Sequence, residues 1–226
     1  MSEALYKFGG LRFWDEDEIE LREIMISRLS GVLRRALIDV NPAWRFKRTE
    51  GPILTPAEFI NPEYTADDLF VTNHKDWALR AETTASSYAV AKKDQGKLPL
   101  CVWQVGKSFR RELSDGATAS KLRFNEFYQL EFQCIYAVGT KADYRQFLID
   151  ALSPEVSRLL ACSEMRVIDS DRLPSYSEST LDFEVKYNGA WKEIASMSIR
   201  NDFSPNTKVC EIAFGLDRLV EIAKAK

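Results

Sequence analysis

Two segments of alternating polar and apolar residues, 104–112 and 123–131, constrain the fold most. If each is a β-strand, successive side chains point to opposite faces of the sheet, and one face of the pair is apolar enough to pack against helices. The other face carries charged, amide and aromatic side chains: Gln104, Arg110, Glu112, Arg123, Phe127, Gln129 and Glu131. Arginines, glutamates and one aromatic ring on a flat surface predict a site for a polyanion with a planar base, such as ATP.

The composition describes a globular chain that is large enough for one domain. The chain has 226 residues, of which 45% are hydrophobic and 12% aromatic. No apolar run approaches the length that spans a bilayer, and residues 1–7 lack the features of a secretion signal. We therefore expect a cytoplasmic protein with no membrane partner. A net charge of −3 argues against a global basic field for nucleic acid.

Histidine and cysteine usage limits the chemistry. A Ser-His-Asp triad or a multi-histidine metal site would depend on the single histidine, His74, which we interpret as a surface residue. The cysteines lack CxxC spacing, and we interpret them as reduced, mostly buried thiols: Cys101, Cys134, Cys162 and Cys210. Catalysis should therefore use arginines, carboxylates and a bound metal ion.

The remaining pattern predicts an α+β fold, with an antiparallel sheet flanked by helices. Asp15 and Glu18 form a capping-box pattern and begin a helix that we expect to reach about residue 38. A short strand is predicted within 43–54, followed by helices over 84–91 and 142–162.

A β-hairpin is predicted around the Asn188-Gly189 turn. Residues 181–187 alternate strictly, and the return strand places Glu193 on one face with apolar neighbours: Trp191, Ala195, Met197 and Ile199. Burying an acid without a partner is costly, so we expect Glu193 to serve a cation or a ligand.

Several motifs resemble those of the class II aminoacyl-tRNA synthetases. Phe109-Arg110-x-Glu112, a loop and Arg123-x-x-x-Phe127 resemble motif 2, and the longer string 104–131 is most similar to glycyl-tRNA synthetases. Residues 15–52 resemble motif 1, which forms the dimer interface in that family. The segment 209–220, with Arg218 at a strand–helix junction, resembles motif 3.

The resemblance implies a single catalytic domain over residues 1–226. We expect no anticodon-binding domain, because the chain stops within about a dozen residues of motif 3. It also implies a homodimer, on the strength of motif 1.

The implied reaction is amino-acid activation by ATP, with Mg²⁺. The amino-acid carboxylate attacks the α-phosphorus, so catalysis is positioning plus charge neutralisation. The resemblance assigns Arg110 to the α-phosphate and Arg218, with Arg123, to the γ-phosphate. Phe127 would stack on adenine and Glu112 would accept a hydrogen bond from its amine. Glu193 would place Mg²⁺ or the substrate ammonium.

The resemblance also implies an amino-acid pocket. Arg80-Ala81-Glu82-Thr83-Thr84 resembles the Arg-Pro-Glu-Thr segment of the glycyl enzymes, whose glutamates surround the substrate ammonium. The residues that match this pocket are Arg80, Glu82, Gln104, Glu131, Glu211 and Ala213. Ala213 stands where the family usually has serine, and Ser196 stands near an expected glycine. Glycine is the first expectation and another small amino acid the second.

Three functions follow from these observations. The first is a synthetase that transfers the activated amino acid to tRNA or a tRNA-like acceptor. The second is a ligase that transfers it to a carrier protein or a small molecule. The third is a non-catalytic, dimeric binding or accessory protein. Arg110, Glu112, Phe127 and Arg218 together argue against the third, because a scaffold has no physical need for them.

Overall fold

The computed structural model describes residues 10–73, 76–94, 97–112 and 121–225. The helices are α1 (Glu16–Val40), α2 (Thr84–Lys92), α3 (Tyr144–Leu159) and α4 (Leu216–Lys224). The strands are β1 (Arg45–Thr49), β2 (Leu54–Pro56), β3 (Trp77–Leu79), β4 (Leu100–Phe109), β5 (Glu126–Ala137), β6 (Met165–Asp169), β7 (Ser177–Tyr187), β8 (Ala190–Arg200) and β9 (Thr207–Gly215). The predicted surface position of His74 lies outside the described residues.

The strands form a seven-stranded sheet in the order β1-β4-β5-β9-β8-β7-β6 and a small sheet of β2 and β3. Every neighbouring pair in the large sheet is antiparallel except β1 and β4, which are parallel. The predicted α+β fold with a mostly antiparallel sheet flanked by helices is confirmed. No described helix combines the length and the apolar character needed to cross a bilayer.

The main core lies on one face of the large sheet. Leucines along α1 and α3 pack there with aromatic residues of the central strands, among them Phe132, Phe183 and Phe214, all at most 1% exposed. Helix α2 covers one end of the opposite face, where Ala91 packs on Val102 and Val209. The rest of this second face stays polar and open, which leaves room for a cleft.

The helix predictions are confirmed. The Glu18 amide donates to Asp15 Oδ1 at 2.9 Å, and the Asp15 amide donates to Glu18 Oε2 at 3.3 Å, which completes the capping box at the start of α1. Helix α3 contains Pro154 and still runs from Tyr144 to Leu159. The strand predicted within 43–54 is shorter than that range, since β1 ends at Thr49.

The cysteine prediction is also confirmed. The four cysteines are free thiols, and three of them are buried. The three buried ones lie side by side on β4, β5 and β9, since Cys134 is the register partner of both Cys101 and Cys210. They pack as apolar side chains within the sheet.

The predicted hairpin forms, but a β-bulge changes which side Glu193 faces. Phe183 pairs with Ala195 and Glu184 pairs with Glu193, so that Ile194 is an extra residue on β8. One extra residue reverses the alternation of side chains on either side of it. The expectation that Glu193 lies among the apolar residues of β8 is therefore wrong, because its side chain is 45% exposed and lines the cleft on the polar face.

Removing the cap of α1 should destabilise the fold. We expect Asp15→Ala to lower the free energy of unfolding by about 1 kcal/mol, because the Glu18 amide loses its acceptor. Chemical denaturation measures the change. Asp17→Ala is the matched control, since Asp17 is an exposed acid in the same turn that does not cap the helix. Equal losses in both variants would contradict the assigned role of the capping box.

Candidate active site

A cleft of about 260 Å³ lies on the polar face of the large sheet. Residues of β5, β7, β8 and β9 form its floor, and the loops around residues 61–64 and 170–176 form parts of its wall. Most of the residues that the sequence assigns to a site line this cleft: Glu82, Arg110, Glu112, Arg123, Phe127, Glu131, Glu193, Glu211, Ala213 and Arg218. The structure therefore brings together side chains that are more than 130 positions apart in sequence.

Arg110 lies close to two aromatic rings. Its guanidinium carbon is 5.4 Å from the ring centre of Tyr64 and 5.3 Å from that of Phe127. Its Nε donates to the Ala81 carbonyl oxygen at 3.3 Å. Desolvation lowers the pKa of Arg110, but the Coulombic effects of Tyr64 and Glu82 outweigh it and the net direction is upward. Arg110 is thus a fixed cation in the cleft wall.

Arg218 supplies a second cation from the strand–helix junction. Strand β9 runs directly into α4, which places Arg218 in the first turn of the helix. Its Nε donates to the Leu122 carbonyl oxygen at 2.9 Å and its Nη1 to the Glu193 carbonyl oxygen at 2.8 Å. The same Nη1 lies 3.5 Å from Glu193 Oε2. These contacts orient the Arg218 guanidinium beside the Glu193 carboxylate, which the resemblance assigns to Mg²⁺.

Glu112 and Arg123 lie at the mouth of the cleft. Arg123 Nη1 is 3.5 Å from Glu112 Oε2, and the two side chains are 58% and 29% exposed. The Glu112 amide donates to Asn125 Oδ1 at 2.6 Å, which fixes the backbone at the end of β4. An ion pair this exposed contributes little to stability, so both side chains can exchange this contact for one to a ligand.

Three glutamates, Glu82, Glu131 and Glu211, gather on the floor and wall of the cleft; we call them the acidic triad. The Gln133 side-chain amide donates to Glu131 Oε1 at 2.9 Å and to Glu211 Oε2 at 3.0 Å. Thr83 Oγ1 donates to Glu131 Oε2 at 2.7 Å. Neutral donors therefore hold these carboxylates near one another.

Burial raises the pKa values of two members of the triad. Desolvation, followed by the charge of Glu211, raises the pKa of Glu131 to about 7. The same two causes raise the pKa of Glu82. Carboxyl groups that are held close together and shielded from water favour the approach of a cation, which would lower these pKa values again. A substrate ammonium group meets this requirement.

Arg200 is a site residue that the sequence analysis missed. It is 3% exposed, forms an ion pair with Glu211, and donates from Nη2 to Asp202 Oδ2 at 2.6 Å. Its guanidinium carbon is 3.9 Å from the ring centre of Tyr176. Ser196 and Ser198 line the cleft, and Arg200 continues the same alternation along β8 and reaches the site through Glu211. This alternation is the signal that could have found it.

Two residues assigned to the amino-acid pocket, Arg80 and Gln104, do not line the cleft. Arg80 donates from Nε to the Lys107 carbonyl oxygen at 2.7 Å and from Nη1 to the Gly51 carbonyl oxygen at 2.8 Å. The Gln104 amide donates to the Thr83 carbonyl oxygen at 2.7 Å. Both side chains are buried, so their polar atoms bond backbone and neighbouring side chains and not a ligand.

The donor set around Glu193 fits a magnesium ion only in company with phosphate. Among residues 10–73, 76–94, 97–112 and 121–225, no three histidines, cysteines or acids are close enough to hold a metal by themselves. Mg²⁺ is usually bound by one or two carboxylates together with water and substrate phosphates. A single, partly exposed carboxylate at Glu193 is compatible with that mode.

Replacing Glu131 should stabilise the ligand-free protein at high pH. The pKa of Glu131 is about 7 in the fold against an ordinary 4.5, so the folded state binds this proton more tightly than the unfolded state. Stability due to this group is therefore lost as the pH rises from 4.5 through 7, by roughly 3 kcal/mol in total. We expect Glu131→Gln to be more stable than the wild type at pH 8.

Urea denaturation at several pH values tests this expectation. The advantage of Glu131→Gln should shrink as the pH falls toward 4.5. Glu58→Gln is the control, because Glu58 is exposed and is not among the residues that line the cleft. A difference between Glu131→Gln and the wild type that does not change with pH would contradict the raised pKa.

Sequence comparison finds similarity to glycine–tRNA ligases. Those of Staphylococcus aureus strains JH9 and Newman are each 31% identical to this chain over 148 residues, which is 64% of this chain and 28% of each ligase. The chain therefore matches less than a third of the length of these relatives. No protein-family model matches the chain.

Structural comparison finds similarity to prolyl-tRNA synthetases. The Giardia lamblia enzyme in complex with prolyl-adenylate superposes with a TM-score of 0.71 at 15% identity, covering 95% of this chain and 48% of that one. The Cryptosporidium parvum enzyme, complexed with halofuginone and AMPPNP, gives a TM-score of 0.74 at 13% identity, covering 95% and 47%. The chain has the fold of a class II aminoacyl-tRNA synthetase core, and in sequence it resembles the glycine-specific ligases.

Proposed function

We propose that this chain activates an amino acid with ATP and forms an aminoacyl-adenylate, with glycine as the preferred substrate and another small amino acid as the second choice. The observation that carries the proposal is that one cleft brings together Arg110, Arg123 and Arg218, the Phe127 ring and the acidic triad. Arginines suit phosphate oxygens, and buried acids suit an ammonium group. Similarity to glycine–tRNA ligases supports the same chemistry.

The arginines would bind the two ends of the triphosphate. Arg110 would donate to the α-phosphate oxygens, where negative charge grows in the transition state. Arg218 would hold the γ-phosphate, with Arg123 from the cleft mouth. Phe127 already packs against Arg110 and would stack on adenine, while Glu112 would accept from the adenine amine.

The acidic triad would bind the amino acid by its ammonium group. This leaves the carboxylate free to attack the α-phosphorus, so that the new C–O–P linkage forms as pyrophosphate leaves. The nucleophile is already ionised at neutral pH and needs no general base. Bound Mg²⁺, held through Glu193, would neutralise phosphate charge when present.

The floor beside the triad supports a small substrate. Ala213 is the direct register partner of Glu131 on one side and of Ser196 on the other. Ala213 and Ser196 both line the cleft and have short side chains. We assign glycine first because the sequence relatives are glycine ligases, although alanine in place of a hydroxyl removes one hydrogen-bonding group.

The proposal extends to partners and setting. We propose transfer to the acceptor end of tRNA, or of a tRNA-like molecule, in the cytoplasm. We also propose a homodimer through motif 1. Helix α1 supports this, since it exposes large apolar side chains outside the core: Ile19, Ile24 and Ile38.

Removing Arg110 should abolish activation without unfolding the protein. We expect Arg110→Ala to reduce ATP–pyrophosphate exchange by roughly a hundredfold or more, because charge on the α-phosphate loses its partner. Arg111→Ala is the matched control, because the Arg111 side chain is 54% exposed and its Nη1 lies 3.9 Å from Asp67 Oδ1, which is a long distance for an ion pair. Retained exchange in a folded Arg110→Ala protein would contradict the assigned role.

The identity of the amino acid and the acceptor should emerge from a substrate panel. We expect glycine to stimulate ATP–pyrophosphate exchange more than any other amino acid, since short side chains line the floor. Labelled glycine should then appear on tRNA. Stimulation by a different small amino acid would reject glycine as the substrate but keep the activation reaction. Label on a protein would reject tRNA as the acceptor. If no amino acid of the panel stimulates exchange, the activation reaction itself is rejected.

A further inference from the structure

Tyr64 lies on a short, internally bonded turn in the cleft wall. The Tyr64 amide donates to the Asn61 carbonyl oxygen at 3.0 Å, and the Glu63 amide donates to Asn61 Oδ1 at 3.0 Å. The turn is tied to the end of β4, since the Arg111 amide donates to the Asp68 carbonyl oxygen at 2.9 Å. The segment that carries Tyr64 is therefore bonded to the residues directly after β4, which include Arg110.

The two ends of the Tyr64 side chain contact different parts of the site. Its ring centre is 5.4 Å from the guanidinium carbon of Arg110. Its hydroxyl donates to Glu82 Oε2 at 3.4 Å. Asn61 supplies the second contact to the same carboxylate, donating from Nδ2 to Oε1 at 3.4 Å. Each carboxylate oxygen of Glu82 thus accepts a hydrogen bond from a side chain of this turn. One of these side chains, Tyr64, also places its ring near the Arg110 guanidinium.

The chemistry of the phenol suits both contacts. Burial is the main cause that raises the pKa of Tyr64 to about 12, so the hydroxyl stays protonated and can donate at neutral pH. An aromatic face within about 6 Å of a guanidinium attracts it and restricts its orientation. Two rings, those of Tyr64 and Phe127, therefore restrict the Arg110 guanidinium.

We infer that Tyr64 is a positioning residue that couples the two halves of the site, holding the nucleotide-binding Arg110 with its ring and the ammonium-binding Glu82 with its hydroxyl. The inference rests on the proposed function for the identity of the two ligands. It assigns separate effects to separate parts of one side chain. The ring affects ATP binding through Arg110, and the hydroxyl affects amino-acid binding through Glu82.

Three substitutions separate these effects. Tyr64→Phe removes the hydroxyl and keeps the ring, and Tyr64→Leu removes both. Asn61→Ala removes the other donor to Glu82, together with the Oδ1 acceptor of the Glu63 amide, and keeps the Tyr64 ring. Phe59→Leu is the control for loss of an aromatic ring nearby, because Phe59 is 61% exposed and does not line the cleft.

The experiment measures ATP–pyrophosphate exchange with the best amino acid of the panel, and ATP binding by calorimetry. For Tyr64→Phe we expect the amino-acid KM to rise about tenfold while the ATP Kd stays within about twofold of the wild type. Asn61→Ala should have the same effects on the amino-acid KM and the ATP Kd as Tyr64→Phe. Tyr64→Leu should add a loss of ATP affinity of roughly three- to thirtyfold. Phe59→Leu should match the wild type in both.

Each result bears on the coupling. Equal increases in amino-acid KM and ATP Kd for Asn61→Ala and Tyr64→Leu would show general loosening of the turn and overturn the inference. Wild-type values for Tyr64→Leu would overturn it as well. If the wild type binds ATP but activates no amino acid, the proposed function fails. The inference is then decided by ATP affinity alone: weaker binding by Tyr64→Leu than by Tyr64→Phe supports it, and equal binding overturns it. No ATP binding by the wild type rejects both.

Discussion

The site depends on the cost of burying carboxylates side by side. Glu82, Glu131 and Glu211 lose hydration where the polar face of the sheet meets α2, and Arg200 pairs with Glu211. Neutral donors from Gln133 and Thr83 stabilise the arrangement without cancelling its charge. The result is a cluster of acids whose ligand-free state is destabilised by desolvation, and which the proposed function assigns to the ammonium group of the substrate.

The remaining architecture keeps that cluster in place. Arg80 and Gln104, although outside the cleft, tie β4 to the chain that precedes α2 through bonds to backbone carbonyl groups. The Gly106 backbone runs so close to Arg80 that a Cβ there would lie 2.2 Å from Nη2. These braces fix the segment that leads into α2 and carries Glu82 and Thr83. A residue can thus matter for substrate binding without contacting the substrate.

Much of the fold and of the site could be predicted because it follows regular periods. Alternation along β4 and β5 put Arg110, Phe127 and Glu131 on one face, and the capping box located α1. The resemblance to class II synthetases added Arg218 and Glu211, which are distant in sequence from those strands. What these residues share is a position within a regular element or, for Arg110, directly after one, where a side chain's direction follows from its place in the repeat.

The parts that escaped prediction are the irregular ones. The bulge at Ile194 shifted the alternation in β8, so Glu193 turned toward the cleft. Arg200 keeps its regular place in the alternation, but its role depends on an ion pair with the distant Glu211. Tyr64 lies on a turn with no period, and its role exists only through contacts with distant residues. Arg80 and Gln104 carry motif positions, yet whether such a side chain reaches a ligand or a carbonyl group depends on packing that a motif does not encode.

The central claim is that a ligand ammonium group displaces the proton of Glu131 within the acidic triad. Calorimetry of glycine binding, in the presence of an ATP analogue that cannot react, measures this when repeated at pH 6.5 in buffers of different ionisation enthalpy. Because Glu131 has a pKa of about 7 in the empty site, binding should release protons, and Glu131→Gln should largely abolish the release. Glycine binding without proton release, or with release unchanged in Glu131→Gln, would contradict the account.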